Sequence, residues 1–256
     1  MSDTLHHHLR SLRLPHMAAV LPATVQRASD ESWSYEQFLA ALLEQEAFGR
    51  EQSGINQRVR QARFPALKTL EQFDFTAQPS VKRQLILHLA SMRFVEAREN
   101  VIFLGPPGTG KTHLAMALAL KACQASYHVL FAPAVDMVQE LLEAQRTRTL
   151  GPALQRLDRP QVLVIDELGY IPLEQEAANL FFQVVSRRYE RGSIILTSNR
   201  PFSAWGDIFG DATAAAAIID RLVHHAEIIA LKGNSYRIRG KEAAVSHPPA
   251  HSRLTA

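Results

Sequence analysis

Val101-Ile102-Phe103-Leu104-Gly105-Pro106-Pro107-Gly108-Thr109-Gly110-Lys111-Thr112-His113-Leu114-Ala115-Met116-Ala117-Leu118 is the stretch whose reading decides the fold. Its first four residues form an apolar, strand-like run, and from Thr112 onward an aliphatic series reads as a helix. The glycines between them fall where backbone amides must approach phosphate oxygens closely. Lys111 is placed to reach the β- and γ-phosphates, and the Thr112 hydroxyl to ligate Mg2+. The helix presents the positive end of its dipole to the same phosphates. Gly105, Pro106, Pro107, Gly108, Thr109, Gly110, Lys111, Thr112 and His113 are therefore the expected nucleotide-binding residues.

Working outward, further aliphatic runs follow at Val129-Leu130-Phe131, Val162-Leu163-Val164-Ile165, Ile194-Ile195-Leu196 and Ile228-Ile229, separated by helix-length segments. Short buried runs alternating with amphipathic helices imply an α/β fold, a parallel five-stranded sheet between helices. The run 162–165 ends in Asp166-Glu167, at the carboxyl edge where such sheets bind ligands. Asp166 joins Thr112 as the expected metal pair, and Glu167 is placed to orient or deprotonate an attacking water. Another run ends in Thr197-Ser198-Asn199, which places Asn199 to hydrogen-bond a γ-phosphate or the lytic water, although asparagine at a strand end is also an ordinary turn former. No Asn/Thr-Lys-x-Asp guanine-reading motif is present, so the expected cofactors are ATP and Mg2+.

Before residue 72 the signals are helical only. Ser34 is placed to cap Tyr35-Glu36-Gln37-Phe38-Leu39-Ala40-Ala41-Leu42-Leu43, whose apolar residues recur at helical spacing. Phe64-Pro65, Phe73-Asp74-Phe75 and Gln78-Pro79 break the pattern and read as a linker. The expected division is an all-helical amino-terminal domain at 1–72, a nucleotide domain at 73–240 and a disordered tail at 241–256 containing Pro248-Pro249.

The 256 residues are 46% hydrophobic and 21% charged, the composition of an ordinary globular protein rather than a disordered one. A single cysteine, Cys123 on an apolar helix face, excludes an intramolecular disulfide and reads as a buried thiol. No signal peptide or membrane span is visible, so a cytoplasmic protein is expected. His6, His7 and His8 lack the cysteine or acidic partners of a metal motif and read as histidines of a flexible terminus, and His224-His225 as packing or interface residues. A net charge of +3 permits nucleic-acid binding without demanding it. Arg50, Arg58, Arg60, Arg63 and Lys68 form a local basic patch that reads either as a nucleic-acid surface or as a solvated helix face.

The phosphate loop, Asp166-Glu167 and Thr197-Ser198-Asn199 together resemble an AAA+ ATPase. More specifically, Asp166-Glu167-Leu168-Gly169-Tyr170, Arg187-Arg188-Tyr189-Glu190-Arg191-Gly192-Ser193 and Ile219-Asp220-Arg221-Leu222-Val223-His224-His225 resemble the IstB-like transposition helper ATPases of insertion sequences, relatives of the DnaC helicase loaders. The resemblance spans nearly the whole chain. It implies an ATPase with Lys111, Glu167, Asn199 and Arg221 in catalytic roles, Asn199 as a first sensor and Arg221 as an arginine finger reaching a neighbouring subunit. Arg187, Arg188 and Arg191 compete for the finger role, and a surface salt bridge is the plainer reading of Arg221. After Ile229 the chain is short and rich in Pro, His, Ser and Ala, so no carboxy-terminal helical lid is expected. Arg237 is a candidate second sensor, although Arg237 and Arg239 fit nucleic acid or solvent equally.

The segment 135–160 resembles the added helix by which initiator-type AAA+ proteins face DNA. Arg146, Arg148, Arg156 and Arg159 there, with Arg58, Arg60 and Arg63, are the candidate phosphate contacts, giving affinity for duplex DNA without sequence reading. The implied function is ATP-dependent self-assembly on target duplex DNA that recruits and activates a partner transposase. A DnaC-like replicative helicase loader is the alternative, and an ATP-gated adaptor with negligible turnover a third reading, against which the intact Glu167 argues.

Overall fold

The structure, a computed structural model, describes residues 3–233, 235 and 236. Packing divides the chain into two units, Met1–Gln57 and Arg58–Ala256. The first contains helices α1 (Asp3–Ser11), α2 (Pro15–Asp30) and most of α3 (Tyr35–Gln61). Ser34 starts α3 with a capping box: its Oγ accepts from the Gln37 N–H at 3.2 Å, and Gln37 Oε1 accepts from the Ser34 N–H at 2.8 Å. Leu9, Met17, Leu21 and Leu42 form the small core. At its edge the buried Glu46 carboxylate accepts the Met17 N–H at 2.8 Å, satisfying a donor in the first turn of α2, and is paired with Arg50 at 2.7 Å. His6 to His8 lie on α1 rather than on an irregular terminus.

The second unit contains α4 (Arg83–Leu89), α5 (Arg93–Glu96), β1 (Asn100–Leu104), α6 (Lys111–Gln124), β2 (Val129–Pro133), α7 (Ala134–Arg146), α8 (Leu150–Asp158) and β3 (Val162–Leu168). It continues with α9 (Gln175–Arg188), β4 (Ser193–Ser198), α10 (Trp205–Phe209), α11 (Ala212–Val223) and β5 (Ala226–Ala230). All five expected strands form, and every pairing is parallel, in the order β2-β3-β4-β1-β5. Because successive strand residues point to opposite faces, each run serves two cores. Val101, Phe103, Val162, Val164 and Ile195 pack with α4 and α6 on one face. Ile102, Leu163, Ile165, Ile194 and Leu196 pack with α7, α9 and α11 on the other. The strand order puts β1 beside β4 and β4 beside β3, so the phosphate loop, Asn199 and the Asp166-Glu167 pair leave the sheet at one edge.

The expected boundary near residue 72 falls inside this second unit, which begins at Arg58. The physical reason is that the presumed linker is core. The Arg58 Nε–H donates to the Cys123 carbonyl at 2.8 Å, the Phe131 N–H of edge strand β2 donates to the Ala62 carbonyl at 2.8 Å, and Ala62 and Leu70 are buried with Phe64, Phe73 and Phe75 packed against them. Cys123 is itself buried, and burial pushes its thiol up to about 11. The expected tail at 241–256, and Arg237 and Arg239, lie outside the described residues. No described helix is long and apolar enough to cross a membrane.

One polar group holds the α8–β3 and α9–β4 turns together. Arg188 is buried, and its guanidinium donates to the carbonyls of Leu157, Pro160, Gln161 and Ser193 at 2.8 to 3.0 Å. Burial lowers its pKa to about 10, which leaves it cationic at neutral pH. Arg188→Met, leaving several buried carbonyls unpaired at about 1–3 kcal/mol each, is expected to lower unfolding free energy by at least about 3 kcal/mol in denaturant titration. Arg187→Ala, which breaks only the exposed pair with Asp158, is expected to change it by less than about 1 kcal/mol.

Candidate nucleotide site

The loop between β1 and α6 is fixed by two glycines. Gly108 and Gly110 have φ of 75° and 100°, in the left-handed region that side chains resist. A Cβ on Gly110 would lie 2.6 Å from the Phe73 ring, and one on Gly108 2.1 Å from Ser235 Oγ. With Gly110 as the N-cap, α6 begins at Lys111, so the positive end of the helix dipole adjoins the loop. The Thr109 hydroxyl donates to the Pro106 carbonyl at 2.8 Å, and the buried Lys111 ammonium donates to the carbonyls of Gly105 and Pro106 at 2.7 and 2.8 Å. The start of α6 and the Lys111 ammonium thus border the same loop, an arrangement suited to a phosphate group.

Asp166 and Glu167 are adjacent but placed oppositely. Asp166 is buried, and its Oδ1 accepts from Thr112 Oγ1 at 2.9 Å and from Thr197 Oγ1 at 2.5 Å. The β3–β4 register then slips between Ile165 and Leu168, and Glu167 has φ of 62°. A left-handed non-glycine residue stores about 1–3 kcal/mol of strain, a device found where a side chain must be re-aimed. Here the strain turns Glu167 out to line the cavity beside Tyr170 and Asn199. Thr197 secures it, accepting the Glu167 N–H at 2.9 Å while donating to Asp166. Asn199 Oδ1 is buried and has no hydrogen-bond partner among the described residues.

The cavity these residues border has a volume of about 570 Å³, within the range of small-molecule and cofactor sites. Besides the phosphate loop it is lined by Leu67, Lys68, Phe73, Gln78, Met116 and Tyr236. Gln78 Nε2 donates to the Thr109 carbonyl at 3.1 Å, and Phe73 meets His113 edge-on at 5.3 Å, so the 67–78 segment is one wall of the site rather than a tether. The donor set fits a magnesium nucleotide: a hydroxyl and a carboxylate, both hard oxygens, stand beside the phosphate loop, and an orphaned buried amide oxygen faces the same space.

Residues 7–244 match the family described as IstB-like ATP binding protein. The chain belongs to that family. A relative from Pseudomonas aeruginosa, named as an ATP-binding protein of insertion sequence IS21, is 47% identical over 236 residues, covering 92% of this chain and 89% of the relative. One from Geobacillus stearothermophilus, named for insertion sequence IS5376, is 43% identical over 241 residues, 94% of this chain and 96% of the relative. Among solved structures, the DnaC helicase loader superposes with a TM-score of 0.51 at 21% identity, over 58% of this chain and 87% of that one, a likeness that shows the fold alone. The second unit of this IstB-like chain is accordingly an AAA+ P-loop fold, and the family is one of ATP-binding proteins from insertion sequences.

The IstB-like fold brings Lys111, Thr112, Asp166, Glu167 and Asn199 to one site. Arg221 is not among the residues lining the cavity. Its guanidinium stacks 4.4 Å over the Phe182 ring and donates to Ser186 Oγ, and no described acid pairs with it. Of its expected competitors, Arg188 is consumed by four carbonyls and Arg187 by Asp158. Arg60, Arg63 and Arg148 are exposed; Arg146 pairs with Glu143 at 3.9 Å, Arg156 pairs with Glu140, and Arg58 is half-buried on Cys123. Arg58, Arg60 and Arg63 all belong to the second unit, not to the helical one.

Sequence reading missed Thr197 and the 67–78 wall. Thr197 carried a usable signal, a polar residue in an otherwise apolar buried strand that must find a partner. Phe73 and Gln78 carried none, since only tertiary packing brings them to the loop. Lys111→Ala removes a charged donor to phosphate, a contact of about 1.5–3 kcal/mol, and is expected to weaken a fluorescent ATP analogue about ten- to hundredfold in a binding titration.

Proposed function

We propose that this protein hydrolyses ATP and uses the nucleotide to assemble on target duplex DNA, where it recruits and activates a partner transposase. The observation that carries the catalytic part is the split pair at the end of β3, with Asp166 held inward by two hydroxyls and Glu167 turned into the cavity by a left-handed residue. A carboxylate exposed there, unlike one sunk into a salt bridge, is free to take a proton from an attacking water. Lys111 and the amides of the loop bind and neutralise the β- and γ-phosphates, while Asn199 positions the water. The water oxygen bonds to the γ-phosphorus, the bond to the β–γ bridging oxygen breaks, Glu167 holds the proton, and ADP and phosphate leave. Thr112 and Asp166 would hold Mg2+, which supplies charge neutralisation at the bridging and terminal oxygens.

The curated relatives named for insertion sequences support the biological half of the proposal, and the exposed arginines of the second unit support nonspecific phosphate contact. Arg221, held among the described residues by a neutral hydroxyl and an aromatic face, is the arginine proposed to reach a neighbouring subunit's nucleotide, and with it self-assembly.

Glu167→Gln is expected to bind ATP as the wild type does but to lower phosphate release by a hundredfold or more; comparable rates in the two proteins contradict the assigned role. Thr197→Val, which loses the bond to Asp166 and the acceptor for the Glu167 amide, is expected to lower turnover at nearly unchanged nucleotide affinity, with Thr197→Ser restoring most of it. Retention of nonspecific duplex DNA at moderate salt is expected to rise when ATP is added. A preference for single-stranded over duplex DNA in competition would favour a helicase-loader role instead.

A further inference from the structure

The turn after α9 and the end of α11 converge close to Arg188 and Arg221, outside the nucleotide cavity. Glu190, His224 and His225 meet there, and one ligand atom from each lies within 4.8 Å of the other two. None of the three lines the nucleotide cavity. We propose that these side chains form a binding site for a zinc-like divalent transition-metal ion.

The argument rests on how firmly the backbone presents the three side chains. Glu190 sits in a left-handed turn with φ of 56°, and its carbonyl accepts from Arg98 Nη1 at 3.0 Å. His224 closes α11, its N–H bonded to the Asp220 carbonyl at 3.0 Å. The His225 carbonyl accepts the Asn100 N–H at 2.7 Å, while Asn100 Nδ2 donates to the Leu222 carbonyl at 2.9 Å, so one residue of β1 pins both sides of the histidine pair. Three exposed side chains thus project from three fixed positions. The imidazole rings stand edge to face at 4.2 Å, and His225 Nε2 is already 3.8 Å from the Glu190 carboxylate. Tyr189 places its hydroxyl 3.0 Å from His224 Nδ1, the kind of outer hydrogen bond that orients a metal-bound imidazole.

The donor chemistry selects the ion. Two neutral imidazoles and a carboxylate suit Zn2+, Co2+ or Ni2+, whereas Mg2+ and Ca2+ prefer oxygen alone. Bonds of about 2.0–2.2 Å require the ligand atoms to close by roughly 1 Å or so, a movement that exposed side chains make by small torsional changes. Three protein ligands leave a fourth position for water, so the site is a clasp between the α9 and α11 ends with affinity set by three ligands rather than four.

The test uses the full chain in which the other exposed or terminal histidines, His6, His7, His8, His88, His128, His247 and His251, are alanine. Nucleotide-free protein is titrated with zinc by calorimetry, and separately with cobalt followed by its visible d–d absorption. One zinc per chain is expected, with a cobalt spectrum of four- or five-coordinate intensity, and Glu190→Gln or His225→Gln is expected to weaken zinc at least tenfold. A parent protein that binds no stoichiometric zinc, a six-coordinate cobalt spectrum, or variants that bind zinc as tightly as the parent overturn the proposal. Because both readouts on the parent stand without any variant, a misfolded variant leaves the test decisive.

Discussion

The Thr197 hydroxyl is the atom on which the rest of the site depends. It donates its proton to Asp166 Oδ1 and accepts the Glu167 N–H, so a single oxygen fixes two consecutive acids in opposite orientations. Without the second bond the Glu167 amide, freed from the β3–β4 ladder by the register slip, would be an unpaired donor in a left-handed residue that already carries strain. Without the first, Asp166 would keep only Thr112 as hydroxyl partner. The strand that leads into Asn199 therefore also sets the geometry of the acids on its neighbour, which ties the placement of Asn199 to that of Glu167 through two residues of β4.

That arrangement is possible because the inner strands β1, β3 and β4 are covered on both faces. A fully buried strand can lend a polar residue to a neighbour at its end only if its remaining positions are apolar enough to hold it in register, as Ile194, Ile195 and Leu196 do. The loop geometry follows from the same restraint. Phe73 packs against Gly110 and His113 from outside the sheet, so the phosphate loop is clamped between a buried strand behind it and an aromatic wall in front.

The parts legible in the sequence were those with a period or a short spacing. Five aliphatic runs became five parallel strands, the Ser34 cap formed with Gln37, and Lys111, Thr112, Asp166, Glu167 and Asn199 met at one edge because each stands at the carboxyl end of a strand or in the short loop and helix start beyond it. The 64–79 region reads as a linker because its apolar residues recur with neither helical nor strand period. Its aromatics pack against α6, β2 and each other, and its prolines and short polar turns, such as the Asp74 carboxylate accepting from Thr76 and Ala77, look locally like a linker. Arg188 was likewise opaque. Its neighbours Arg187 and Arg191 have the same side chain in the same run, and only the helix phase and the ends of β3 and β4 make one of the three an internal strut.

The contrast among these arginines bears on how an assembly would complete the nucleotide site. A residue that serves a neighbouring subunit must give up its present contacts when an anion arrives. Arg188 would have to abandon four buried carbonyls, each left unsatisfied, and Arg187 a carboxylate oxygen that accepts from two of its nitrogens. Arg221 would surrender a serine hydroxyl and the face of Phe182, contacts that a triphosphate's charge outweighs. Its position on α11, outside its own cavity, is then what a role in trans requires, since a guanidinium already committed to the phosphates of its own chain would have nothing left to couple one subunit to the next.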